Sequence, residues 1–451
     1  MAQTRDEERL AKAPIGPLML KLAVPAVAAQ VINMLYNIVD RIYIGHIPQV
    51  GDIALTGVGV TFPIIMLISA FAAFAGQGGA PLASIRLGAG DREGAEEILG
   101  NSTTMLLIAA VVLTAGFSIF KEPILYAFGA SENTIGYAMD YIGIYLVGTV
   151  FVQLALGLNT FISAQGKALV AMLSVLIGAI LNICLDPVFI FVLHMGVKGA
   201  ALATILSQAV SAAWVVGFLL SRRSGLRIRR KNMALKGKVV GRVAGLGVAP
   251  FIMQSTESLV TVVLNTGMQT YGGDLYVGTI TIMQSIMQMI VLPTQGITQG
   301  TQPIMSYNYG AGNYLRVRQT FKRLLTVTCT AFVVVAFFPG MLARIFTPQP
   351  ELIALVSRVM PIFFGGMWAF GAQLACQTTF MALGQARTSL FLALLRKVIL
   401  LVPLAIILPR LTGSVMGIYV AEPIADILAS ATTLTLFLSR RKKLLPTAKD
   451  Q

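Results

Sequence analysis

Apolar residues fill long runs in this chain, and the polar positions inside those runs are few and regularly spaced. Reading the runs against their Gly, Pro and charged breakers predicts twelve helical spans. Six lie near 15–44, 53–75, 97–120, 134–158, 168–193 and 197–220, and six near 240–267, 277–298, 319–340, 353–378, 388–409 and 413–438. A bilayer crossing needs about 20 apolar residues, and the longer runs leave room for tilt or for ends that project into water. A barrel would show short segments of alternating polarity instead. The expected fold class is therefore an all-α integral membrane protein with twelve transmembrane helices.

The two halves resemble each other. "PLASIRLGAG" from Pro81 matches "PIMSYNYGAG" from Pro303 at an offset of 222, which pairs Pro81, Ser84, Gly88, Ala89 and Gly90 with Pro303, Ser306, Gly310, Ala311 and Gly312. The same offset pairs Gly51–Asp52 with Gly273–Asp274. Six crossings per half is an even number, so the expectation is two pseudo-symmetric six-helix lobes, parallel repeats about an axis along the membrane normal. The division is a tail at 1–14, a first lobe at 15–220, a basic linker at 221–239, a second lobe at 240–438 and a basic tail at 439–451.

Composition sharpens the class. Hydrophobic residues make up 56% of the 451 and charged residues only 12%, against about 25% charged in soluble domains. The net charge of +15 sits mostly in alternate connections: Arg86 and Arg92, Lys167, "SRRSGLRIRRKNMALKGK", Arg316, Arg318, Lys322, Arg323, Arg387 and the tail "RRKK". The other connections hold only Lys121, Lys198, Arg344 and Arg410. This asymmetry predicts that both termini are cytoplasmic and that the cations meet an anionic leaflet rather than nucleic acid. The three cysteines lie in apolar runs and build no disulfide framework.

Charge inside the membrane is costly and marks function. Gln30, Asn33, Asn37 and Asp40 form one polar stripe on the first span. Arg41 points elsewhere and snorkels rather than pairing with Asp40. On the fifth span Asn182 and Asp186 share a face, and Pro187 predicts a kink there. With Thr204 on the sixth span, these are hard oxygen ligands for a proton or a small cation such as Na+. The second half is not a copy, since its counterpart of Asp40 is Asn265. It carries Glu257 with Gln254 on one face, open to either cavity lining or packing. Arg396, Lys397, Glu422 and Asp426 read as structural pairings. Met283 and Met287, Gln284 and Gln288, and Trp368 suggest an adaptable substrate wall.

Enzyme motifs are absent. "GQGG" and "GAG" lack the strand-to-helix setting and the Lys-Ser/Thr of a nucleotide loop. Asp91 reads as a helix cap.

Taken in order, "YNIVDRIYIG", the loop "GQGGAPLASIRLGAG", "GLNTFISAQGK", "NICLDPVFIF" and "QGTQPIMSYNYGAGN" resemble the multidrug and toxic compound extrusion (MATE) family, in its bacterial MepA-like and DinF-like branch. The resemblance runs from about Pro17 to Leu438. It implies a bacterial inner-membrane antiporter, not an enzyme, that exports bulky amphipathic, often cationic compounds in exchange for H+ or Na+. It implies no other cofactor, a functional monomer among membrane lipids, and two lobes that alternate access. A cation site at Asp40, Asn182, Asp186 and Thr204 is implied by its DinF-like members. The alternative is a lipid-linked saccharide flippase of the same broader superfamily, which would line its cavity with cations.

Overall fold

The computed structural model describes residues 5–335 and 350–446, the side chains at 258, 274 and 332–335 excepted. The connection with Arg344, the end of the ninth expected span and the last five residues of the tail lie outside them. All regular structure among the described residues is helical. A short surface helix α1 (Arg5–Lys12) precedes the long α2 (Ile15–Gly45), α3 (Gly51–Gly88) and α4 (Arg92–Ala127). Next come α5 (Ile135–Val147), α6 (Thr149–Ala164), α7 (Ala168–Pro187) and α8 (Val197–Leu220). The second half holds α9 (Gly237–Gly272), α10 (Asp274–Gly310), α11 (Tyr314–Val335), α12 (Pro350–Phe363), α13 (Met367–Ala382), α14 (Ala386–Leu394), α15 (Val402–Thr412) and α16 (Met416–Leu444).

Among the described residues, ten helical segments are long and apolar enough to cross a membrane, and α5 with α6 makes an eleventh if that pair is one span, bent by 59° at Gly148. The chain is thus a multi-pass helical membrane protein. The ninth expected span is described only as far as Val335.

The "GQGGAPLASIRLGAG" segment, read from sequence as a loop, is helical through Gly88, and only the turn at Ala89–Asp91 interrupts it. Its glycines act at a helix contact rather than in a loop. Gly78 lies against Val243 and Gly247 of α9, and Gly88 against Tyr307 and Ala311 at the end of α10. Small residues let helix backbones approach closely, and backbone buried that way must bond internally, which a helix does. Asp91 caps α4, accepting from the Gly94 amide at 2.9 Å. At Pro187, where α7 ends, the chain passes into a π-helical turn, Val188–Val192.

The first and last described helices end on one face. The Leu10 carbonyl accepts from Asn308 at 2.9 Å and from Arg316 at 3.1 Å, while Arg318 donates to the Leu445 carbonyl. The linker is also docked there: Glu93, Glu96 and Glu97 of α4 pair with Lys231, Arg229 and Lys236. Those three cations are engaged by α4, so the linker is not simply a lipid-facing basic run. Lys231 holds the Glu93 carboxyl below its ordinary range.

The core divides in an informative way. One cluster draws on both halves, including Leu22, Leu99 and Phe161 with Ile304, Leu324 and Phe380, at the end bearing the termini. The opposite end has two separate clusters, one from residues 44–205 and one from 260–425. The halves share a core on the termini face and part beyond it.

Candidate cation site and transport cleft

Helix α2 rises from the termini face, and its polar stripe does several different things. The Gln30 side-chain amide donates to Gln299 Oε1 on α10 across 3.1 Å, joining the two halves. At this level Gly296 and Gly300 of α10 rest on Val27 and Ala23 of α2. Asn33 lines a cavity of about 40 Å³ inside the first half, with Tyr36, Asn159, Asn182, Thr204 and Gln208. Asn37 turns back on its own helix, donating to the Asn33 carbonyl at 2.6 Å.

Asp40 faces Asp186 of α7, the two carboxyls acting directly on each other. The Asn182 amide donates to Asp186 Oδ1 at 3.2 Å and, more loosely, to Thr204 Oγ1 of α8 at 3.5 Å. The structure therefore brings all four sequence-expected residues into one cluster. Asp40 Oδ1, Asn182 Oδ1 and Asp186 Oδ2 are buried without hydrogen-bond partners. Arg41 turns its guanidinium onto the Phe62 ring, 5.3 Å from its centroid. The cluster thus presents unpartnered oxygens on two facing carboxyl groups, a donor set suited to a proton or a hard monovalent cation.

Sequence reasoning passed over three tyrosines here. Tyr36 stands beside Asn37 and Asp40, and Tyr141 of α5 reaches Thr204. Tyr145 stacks on Tyr141 with ring centroids 6.2 Å apart. The signal was present: Tyr36 precedes Asp40 by one turn, and Tyr141 and Tyr145 share a face.

In the second half, a π-helical turn at Leu395–Leu401 separates α14 from α15. Arg396 binds Asp426 at 2.6 Å and Glu422 at 2.8 Å, both on α16, and lies 4.2 Å from the Phe370 ring centroid. Lys397 instead pairs with Glu257 of α9 and donates to the Met253 carbonyl at 3.0 Å. Glu257 remains 62% exposed, and Gln254 on the same helix is half-buried.

The expected methionine and glutamine wall is only partly a surface. Met283 is fully buried in the far-end core of the second half, and Met287 packs against that core. The shared i,i+4 face of the two methionines is a packing face, so Met283 offers nothing to a substrate in this conformation. Gln284 is half-buried, Gln288 is exposed, and Trp368 is 58% exposed.

Comparison with known proteins agrees with this architecture. The MatE family model matches residues 25–188 and 250–407. The chain is 24% identical over 417 residues to a Staphylococcus haemolyticus protein named multidrug export protein MepA, covering 91% of each chain. It is 25% identical over 444 residues to a Shewanella oneidensis protein named FAD transporter, covering 94% of each. A solved structure of a multidrug resistance MATE family transporter of the MOP superfamily, in an outward-facing conformation, superposes with a TM-score of 0.90 at 24% identity, covering 99% of this chain and 100% of that one.

Proposed function

This chain belongs to the MatE family, and from that premise we propose that it is an antiporter exporting bulky amphipathic cations in exchange for H+ or Na+. It is a secondary transporter of the multidrug-efflux type and not an enzyme. Its twelve spans form two six-helix lobes that rock about the termini face, and both termini are cytoplasmic in a bacterial inner membrane. The basic connections gather on that face, which supports this orientation. The shared core on the termini face and the separate cores beyond it support a cleft open to the outside.

The observation that carries the coupling role is the facing pair Asp40 and Asp186 with unpartnered buried oxygens. Two adjacent carboxylates without a fixed counter-cation favour uptake of positive charge. An external cation there stabilises the outward-open arrangement, and its release inward accompanies the reverse. Export follows if substrate and cation differ in their preference for the two arrangements. The relevant groups on this chain are Asp40 and Asp186 as charge acceptors, Asn182 and Thr204 as oxygen donors, and Gln30, Asn33, Asn37, Gln254, Glu257, Gln284, Gln288 and Trp368 along the substrate path. No other cofactor is invoked, and a single chain within the lipid suffices as the functional unit.

A flippase for a pyrophosphate-linked lipid needs available cations. Of the span residues Arg41, Arg358, Arg396 and Lys397, the last two are paired with carboxylates and Arg41 lies on an aromatic ring, which leaves Arg358, exposed on α12. An exposed acid, Glu257, likewise suits a cation better than a phosphorylated substrate. Dye efflux from proteoliposomes under independently imposed pH and Na+ gradients tests the reading. Export driven by neither gradient overturns it.

A further inference from the structure

Consecutive residues on an α-helix point about 100° apart, so two neighbouring cations face different partners. Arg396 and Lys397 stand side by side in the π-helical turn Leu395–Leu401. Arg396 faces α16 and Lys397 faces α9, both nearly buried. Arg396 already has two carboxylates, Glu422 and Asp426, while Lys397 has one, Glu257.

The Lys397–Glu257 pair is lopsided. Lys397 is buried, yet Glu257 is 62% exposed. A structural ion pair in a membrane protein would shield both partners. The exposed carboxylate lies further along α9 than Phe251, which meets Phe71 of α3 with ring centroids 4.9 Å apart. Lys397 would not be stranded if Glu257 turned away, because the Met253 carbonyl holds its ammonium at 3.0 Å. Glu422 also acts on Lys397 through space, and the cluster holds three carboxylates for two cations.

We infer that Lys397 is a tethered cation that occupies Glu257 when the cleft is empty, and that an organic cation in the cleft takes its place. Glu257 is then an exchangeable anionic binding group, and Lys397 sets the affinity threshold that a substrate must exceed. Neutral and anionic amphiphiles cannot make this exchange. This deepens the proposed export function and rests on it for the substrate class, but it concerns the second half and is independent of the Asp40 cluster.

The test is equilibrium binding of tetraphenylphosphonium, a permanent lipophilic cation, to the purified full chain in nanodiscs at fixed pH. Lys397→Met should tighten binding about tenfold, the scale of one charge-assisted contact. Lys397→Arg should restore the weaker wild-type value. Glu257→Gln should weaken binding, and in that background Lys397→Met should have no further effect. Unchanged or weaker binding in Lys397→Met overturns the inference, as does a gain that persists without Glu257. Absence of tetraphenylphosphonium binding in both wild type and Lys397→Met overturns it as well. The antiport reading fails separately, in gradient-driven export from liposomes, because the binding measurement uses no gradient.

Discussion

Gly88 and Gly310, 222 positions apart, pack reciprocally: Gly88 lies against the Tyr307 backbone and Gly310 against the Ile85 backbone. The same offset relates Ile85 to Tyr307, so each copy of the repeat meets the other copy's matching residue. This is the contact pattern that a two-fold relation produces. It lies on the termini face, where the two halves share one core.

A Cβ at either glycine would collide with a backbone oxygen, which cannot move aside as a side chain would. Gly310→Ala should therefore weaken this seam by about 1–3 kcal/mol, the usual scale of overpacking. The population should shift away from the arrangement that is closed at the termini face. Spin labels at Glu132 and Arg410, exposed on the opposite face, should report a shorter distance in the variant. An unchanged distance distribution would count against the seam as a hinge.

Asp40→Asn and Asp186→Asn each remove one of the two facing charges. Gradient-driven dye export in liposomes should fall about tenfold or more, within the ordinary range of coupling free energies. Thermal stability should hold, because both residues have oxygens without partners and neither is part of a fixed ion pair in the structure. Wild-type export in both variants would remove the cation role from this cluster.

Tyr141→Phe keeps a ring in the far-end core of the first half, where Tyr141 is 4% exposed. It deletes the hydroxyl that reaches Thr204. Half-saturation by the driving cation should rise several-fold, on the order of one hydrogen bond, with maximal export little changed. A fall in maximal export alone would point to a role in the conformational step instead.

Asn101 is fully buried and clamps the linker, donating to the Asn232 carbonyl at 3.1 Å and accepting from the Lys236 amide at 2.8 Å. Asn101→Ala should cost about 1–3 kcal/mol by leaving these backbone groups unpaired. Limited proteolysis should then cut within 221–236 faster than in wild type. Equal cutting rates would show that the acidic pairings of α4 suffice to hold the linker.

Much of this molecule was legible before any coordinates. The multi-pass helical class was, because a bilayer demands about 20 apolar residues wherever a helix crosses it, although ten or eleven such spans are described where twelve are expected. The repeat was, because matched glycines and prolines at one offset survive as letters. The grouping of Asp40 with Asn182, Asp186 and Thr204 was partly legible: helical spacing put Asn182 and Asp186 on one face, while family resemblance supplied the link to α2. Periodicity also misled. It assigned Met283 to a substrate wall, although the face it shares with Met287 is the packing face, and it read the glycine-rich end of α3 as a loop.

Sequence alone determined the environment of each segment, since transfer from water to lipid is a property of a segment's own residues. Partners were decided by docking. Lys397 and Arg396 are neighbours in sequence, and only the docking of α9 and α16 against the turn at Leu395–Leu401 gives one Glu257 and the other Glu422 and Asp426. The glycines of α3 and α10 likewise become contacts only once the halves meet, because close approach depends on two backbones and is encoded in neither alone.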